Sequence, residues 1–163
     1  MKIRINTLWR VPVFCLVSSW VSFYLTIYLG RFFFIVKTVG IDGVSEVSAD
    51  PLRSSIFSGG LFLIVLLLGG LWAFRTMTRA EIAISAAIIS AIYLALTLMQ
   101  LYLPNFPASI GVELATFQNW ISILSSGLYK ITGHFNLSVL SANLAPFLFV
   151  PFGRKAIHSS NQI

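Results

Sequence analysis

Four stretches without Asp, Glu, Lys or Arg constrain this chain more than any other feature. Twenty residues separate Arg10 from Arg31 (VPVFCLVSSWVSFYLTIYLG), and twenty-one separate Arg53 from Arg75 (SSIFSGGLFLIVLLLGGLWAF). Twenty-two lie between Glu81 and Pro104, and twenty-three between Lys130 and Arg154. About 20 helical residues cross a hydrocarbon core of about 30 Å. Helix is the expected form, because an open sheet leaves backbone N–H and C=O groups unpaired in lipid. The runs also lack the strict alternation of barrel strands. The reading is therefore an all-α polytopic membrane protein with four transmembrane helices, at 11–30, 54–74, 82–103 and 131–152.

Composition supports lipid as the solvent. Of 163 residues, 57% are hydrophobic and 10% charged, with a mean hydropathy of +0.88. Soluble domains carry about 25% charged residues. The whole length, 1–163, fits a single integral membrane domain. The start, MKIRINTLWR, has the basic character of a signal peptide. The run behind it exceeds the about 7–15 apolar residues typical of one, so an uncleaved first span is expected.

The sparse charges read as topology anchors. Lys2, Arg4, Arg10, Arg75, Arg79, Arg154 and Lys155 fall on one side of the spans, and Arg31, Lys37, Arg53 and Lys130 on the other. Four of the five acids, Asp42, Glu46, Asp50 and Glu113, fall with the smaller group, so the net +6 sits on one face. The positive-inside tendency puts both termini, and a tail at 153–163, in the cytoplasm. Compact size and short loops suggest a bacterial plasma membrane. The positives are spread as punctuation and form no basic face for nucleic acid.

Helix ends are legible too. Thr78 and Glu81 make the T-x-x-E pattern of a capping box, which explains three charges crowded into RTMTRAE. Asp50-Pro51 places a capping carboxylate before a proline at the first helical position. Pro104 stops the third span. Trp9, Trp72, Tyr28 and Tyr102 stand near span ends, where aromatic rings favour the interface.

Between the third and fourth spans, Phe117, Trp120, Ile121, Leu124, Leu128 and Ile131 recur at helical spacing opposite Gln118, Asn119, Ser122, Ser125, Ser126 and Lys130. Segment 117–130 therefore reads as a short amphipathic helix. Three placements compete: flat in the outer interface, re-entrant, or continuous with the last span. The interfacial placement is the expected one. The first outer segment, VKTVGIDGVSEVSADP, reads as a solvated loop. Its three acids lack the ordered oxygen ligands of a calcium loop.

Candidate functional residues are few. Lys130, His134, Ser138 and Ser141 would form one polar stripe on a continuous helix, suited to packing or to a transport path. Ala83, Ala87, Ala91 and Ala95, with Gly59, Gly60, Gly69 and Gly70, are small residues where helix backbones can meet. Cys15 is alone, so there is no intrachain disulfide and no paired redox motif. His134 and His158 lack the spacing and carboxylates of a zinc site. No metal, cofactor or catalytic set is expected. Small multidrug transporters share the span count but depend on a glutamate in the first span, and here no span holds a carboxylate. The best reading is a non-enzymatic accessory, scaffold or small subunit, with the bilayer and a membrane protein or second copy as partners. A small transporter or channel subunit is the alternative, and a membrane enzyme acting on lipid a weaker one.

Overall fold

The computed structural model describes residues 7–39, 45–103 and 108–154. They form a helical bundle with one small hairpin. Helix α1 (Arg10–Phe33) leads into strands β1 (Ile35–Val39) and β2 (Ser45–Ala49), which pair antiparallel with Ile35 opposite Ala49 and Val39 opposite Ser45. Helix α2 (Pro51–Leu67) runs on as a π-helical turn, Leu68–Ala73. Helix α3 (Arg79–Tyr102) returns, followed by α4 (Ala108–Phe117), α5 (Asn119–Thr132) and α6 (Phe135–Ala142). A 3₁₀ segment, Ala145–Phe152, ends the bundle.

Three helices are long and apolar enough to cross a membrane: α1, α2 with its π turn, and α3. The region expected as a fourth continuous span, 131–152, is instead α6 and the 3₁₀ segment, bent by 40°. Prolines explain the change of helix type. Pro146 and Pro151 cannot donate to an α ladder. The chain tightens to three-residue bonds, Phe147 N–H to Leu144 O at 3.0 Å and Gly153 N–H to Val150 O at 3.1 Å.

Both expected caps form. Asp50 accepts from the N–H groups of Leu52 at 2.9 Å and Arg53 at 3.2 Å. The Thr78 hydroxyl accepts from Glu81 N–H at 3.3 Å, while the Glu81 carboxylate accepts from Thr78 N–H at 2.9 Å. The first outer segment departs from expectation. Its described residues are strands rather than loop, because β-branched Ile35, Val36, Thr38 and Val39 favour an extended pleat.

Four arginines gather at one end of the bundle. Arg10 donates to Thr76 Oγ1 at 3.0 Å, and Arg79 Nε donates to Gly153 O at 3.2 Å. Arg154 pairs as a β-bridge with Thr78, through Arg79 N–H to Arg154 O and Arg154 N–H to Met77 O. Arg75 lies in the same turn. Lys155, the remaining anchor, and the rest of the tail lie outside the described residues. The β-hairpin, the start of α2 and Lys130 lie at the other end, where Lys130 hydrogen-bonds Ser55.

The core is aromatic. Trp120 is stacked between Phe62 (5.0 Å between centroids, 10° between planes) and Phe149 (5.4 Å, 17°). Phe149 meets Phe74 and Phe14 edge-on. Polar side chains are also inside. Ser19, Ser22, Ser85, Thr97, Ser138 and Asn143 are buried, while large apolar residues such as Val17, Trp20, Leu63, Ile64 and Ile92 are exposed. Hydroxyls inward and aliphatics outward is the distribution expected where hydrocarbon is the outer solvent.

Candidate functional site

The centre of interest is the α4–α5 hairpin. Tyr93, midway along α3, donates its hydroxyl to Phe117 O at 3.3 Å and accepts at its own carbonyl from Gln118 Nε2 at 3.4 Å. Trp120 N–H donates to Ser19 Oγ, midway along α1, at 3.4 Å. The turn between α4 and α5 thus sits at mid-height of the bundle. From there α5 climbs back to the hairpin end, where Lys130 meets Ser55. Segment 117–130 is therefore folded back into the bundle rather than laid flat against it. The reason is which way its apolar stripe faces. Trp120 and Ile121 are buried, and Leu124 and Leu128 pack against the core. A flat interfacial helix would turn that stripe to lipid.

Gly133 closes α5 in the left-handed region (φ 70°), donating its N–H to Tyr129 O at 2.9 Å. Without a Cβ it adopts this conformation without strain. The break has a direct consequence for the expected polar stripe. Lys130, His134, Ser138 and Ser141 do not share one helix face. Lys130 and His134 are exposed, Ser138 is buried against Thr132 Oγ1 (2.9 Å) and His134 O (2.8 Å), and Ser141 is exposed. Lys130 alone of the four lines a cavity described below.

The small residues divide as well. A Cβ on Gly69 or Gly70 would collide with Phe149 and Phe14, or with Phe152, so both glycines serve close packing inside the chain. Gly59 and Gly60 face open space. The alanine row is turned away from the bundle: Ala83 is half-buried and Ala87, Ala91 and Ala95 are exposed. Helix α3 packs instead through Ile82, Ala86, Ile89 and Tyr93, helped by Thr97, whose hydroxyl reaches Asn143 Oδ1 at 3.3 Å.

Two polar cavities flank α5. One, about 350 Å³, lies between α1, α2 and α5 and is lined by Thr26, Ser55, Ser58, Asn119, Ser122 and Lys130 among others. The second, about 530 Å³, lies between α3, α5 and α6 and is lined by Thr97, Gln100, Gln118, Ser125 and Asn143 among others. Neither was foreseen, although the serine-rich side of 117–130 supplies walls to both. No three of His, Cys, Asp or Glu come together to hold a metal among the described residues. The chemistry available is hydrogen bonding and one ammonium charge. The fold and site define a helical bundle with membrane-length apolar helices, an aromatic core and two polar cavities. No family model, curated protein or solved structure matches the chain.

Proposed function

We propose that this chain is a four-span integral membrane protein, both termini cytoplasmic, that works as a non-enzymatic accessory or small subunit of a membrane complex. The bent pair α6 and Ala145–Phe152 serves as the fourth span, and the α4–α5 hairpin enters the membrane without crossing it. The arginine end is the cytoplasmic end, in a bacterial plasma membrane. One observation carries the subunit reading. Beside the exposed Ala87–Ala91 face runs a cleft of about 220 Å³, lined also by Ser90, Leu94, Leu140 and Leu144. The buried Ser90 hydroxyl has no hydrogen-bond partner there among the described residues. A second helix on the alanine face can approach closely, because that row carries nothing beyond Cβ.

A photo-crosslinker at Ala91, in native membranes, tests this. The expected adduct is one defined membrane protein or a second copy, lost in an Ala87→Leu background. Adducts to lipid alone would refute it. The polar cavities on both sides of α5 favour a second reading, a small transporter or channel subunit with Lys130 at its mouth. A flux unchanged by His134→Ala and Lys130→Met would remove it.

A further inference from the structure

The cavity between α1, α2 and α5 has an ordered distribution of hydrogen-bonding groups. At its outer mouth stands Lys130, whose ammonium spends one donor on Ser55 Oγ and pairs with no carboxylate among the described residues. The nearest ion pair, Arg53 with Asp50 at 3.4 Å, is self-contained. Among the described residues the cavity therefore carries one positive charge without a carboxylate partner. At its floor stands Asn119, whose Nδ2 has no hydrogen-bond partner among the described residues. An amide nitrogen offers two donors.

The walls between offer the opposite character. Thr26 donates to Ser22 O at 2.8 Å, Ser55 to Pro51 O at 2.7 Å, Ser122 to Asn119 O at 2.7 Å, and Ser126 to Ser122 O at 2.9 Å. With their hydrogens committed to the backbone, these hydroxyls turn lone pairs to the cavity. Mouth and floor are separated by eleven residues of α5, about 16 Å at 1.5 Å per residue. A fitting occupant is elongated. It bears a single negative charge within reach of Lys130, hydroxyl donors beside that charge and an oxygen acceptor toward the floor.

Gly59 and Gly127 also line the cavity, and a Cβ at either meets nothing within 4 Å. Both helices could carry larger residues there at a gain in helix propensity. Glycine keeps the space open.

We propose that this cavity binds a polyhydroxylated monoanion, of the class of a glycerol or sugar phosphodiester. Lys130 holds the phosphate, the serine and threonine oxygens accept from the hydroxyls, and Asn119 donates at the floor. The same chemistry occurs in an anionic lipid headgroup and in a free phosphodiester, and the test has an arm for each. In the lipid arm, the protein is placed in nanodiscs of equal phosphatidylglycerol and phosphatidylcholine and examined by native mass spectrometry. One retained phosphatidylglycerol per chain is expected, at about tenfold preference, as one charge-assisted hydrogen bond implies. Lys130→Met and Gly127→Leu should each abolish the preference. In the soluble arm, detergent-purified protein is titrated with glycerophosphoglycerol. Binding there with the same two dependences, without lipid preference, supports the chemistry and places the source in solution.

Gly127→Leu should leave the thermal unfolding temperature at or above wild type, so its loss of ligand cannot be unfolding. The proposal is overturned if neither probe binds, or if binding survives both substitutions. The lipid arm rests on the membrane reading and the soluble arm does not, so failure of that reading leaves the soluble arm intact.

Discussion

Replacing Trp120 with leucine separates a folded-back α5 from an interfacial one. Trp120 is fully buried, stacked on Phe62 at 5.0 Å and on Phe149 at 5.4 Å. In a bilayer the transfer term for an apolar ring is small, since the lipid tails are apolar too. What remains is packing. Two aromatic pairs contribute about 0.5–1.5 kcal/mol each. The void left by trimming an indole adds a cavity penalty, and Trp→Ala in a closed core costs about 3–5 kcal/mol altogether. Leucine fills part of that void, so Trp120→Leu should cost about 2–4 kcal/mol. The indole N–H adds no lost hydrogen bond to this cost, because it is buried without a partner among the described residues. Unfolding in mixed micelles by increasing sodium dodecyl sulfate, followed by circular dichroism, measures the cost. The cycle with Phe149→Leu isolates the ring pair, with an expected coupling of about 0.5–1.5 kcal/mol. A cost below about 0.5 kcal/mol, within the range of surface substitutions, with no coupling would refute the placement.

Glycine positions give a paired prediction. A Cβ at Gly153 would lie 2.8 Å from backbone atoms of Arg79, so Gly153→Ala should destabilise by about 1–3 kcal/mol, whereas Gly59→Ala should be neutral or stabilise by up to about 1 kcal/mol. The same detergent titration reads both. At the start of α3, Thr78→Ala should cost about 1 kcal/mol. Added to Glu81→Ala it should cost less than the sum, because the two side chains cap each other. In a Cys15→Ser background, cysteines at Tyr102 and Ile131 should react with a membrane-impermeant maleimide from the same side. One at Arg75 should react only after the membrane is opened.

Much of the bundle was legible because helices of membrane-spanning length show as long apolar runs and caps use short local patterns. The runs behind α1, α2 and α3, the Asp50 cap and the Thr78–Glu81 box are of this kind. What escaped depends on tertiary contact. The stripe of Trp120, Leu124 and Leu128 has the same periodicity whether it faces lipid or protein, and only the aromatic slot between Phe62 and Phe149 decides. The row at Ala83, Ala87, Ala91 and Ala95 marks a surface suited to close packing, but the spacing does not say that α3 turns its other side to the bundle. Gly133 was a readable stop signal. Treating Lys130, His134, Ser138 and Ser141 as one stripe required a helix straight through it. The strand pair left its signal in the β-branched residues of IVKTV, which the glycines and acids that follow outweighed.

The depth of the α4–α5 turn is the most direct test of the account. A nitroxide at Phe117, 43% exposed, and another at Ile131, 84% exposed, report depth through their relative collisions with oxygen and a water-soluble nickel chelate. Twelve residues of α5 separate Asn119 from Ile131, about 18 Å of helix. The account predicts Phe117 near the bilayer centre, with oxygen collisions dominant, and Ile131 at the interface, with the chelate dominant. Equal, shallow depths at both sites would contradict it.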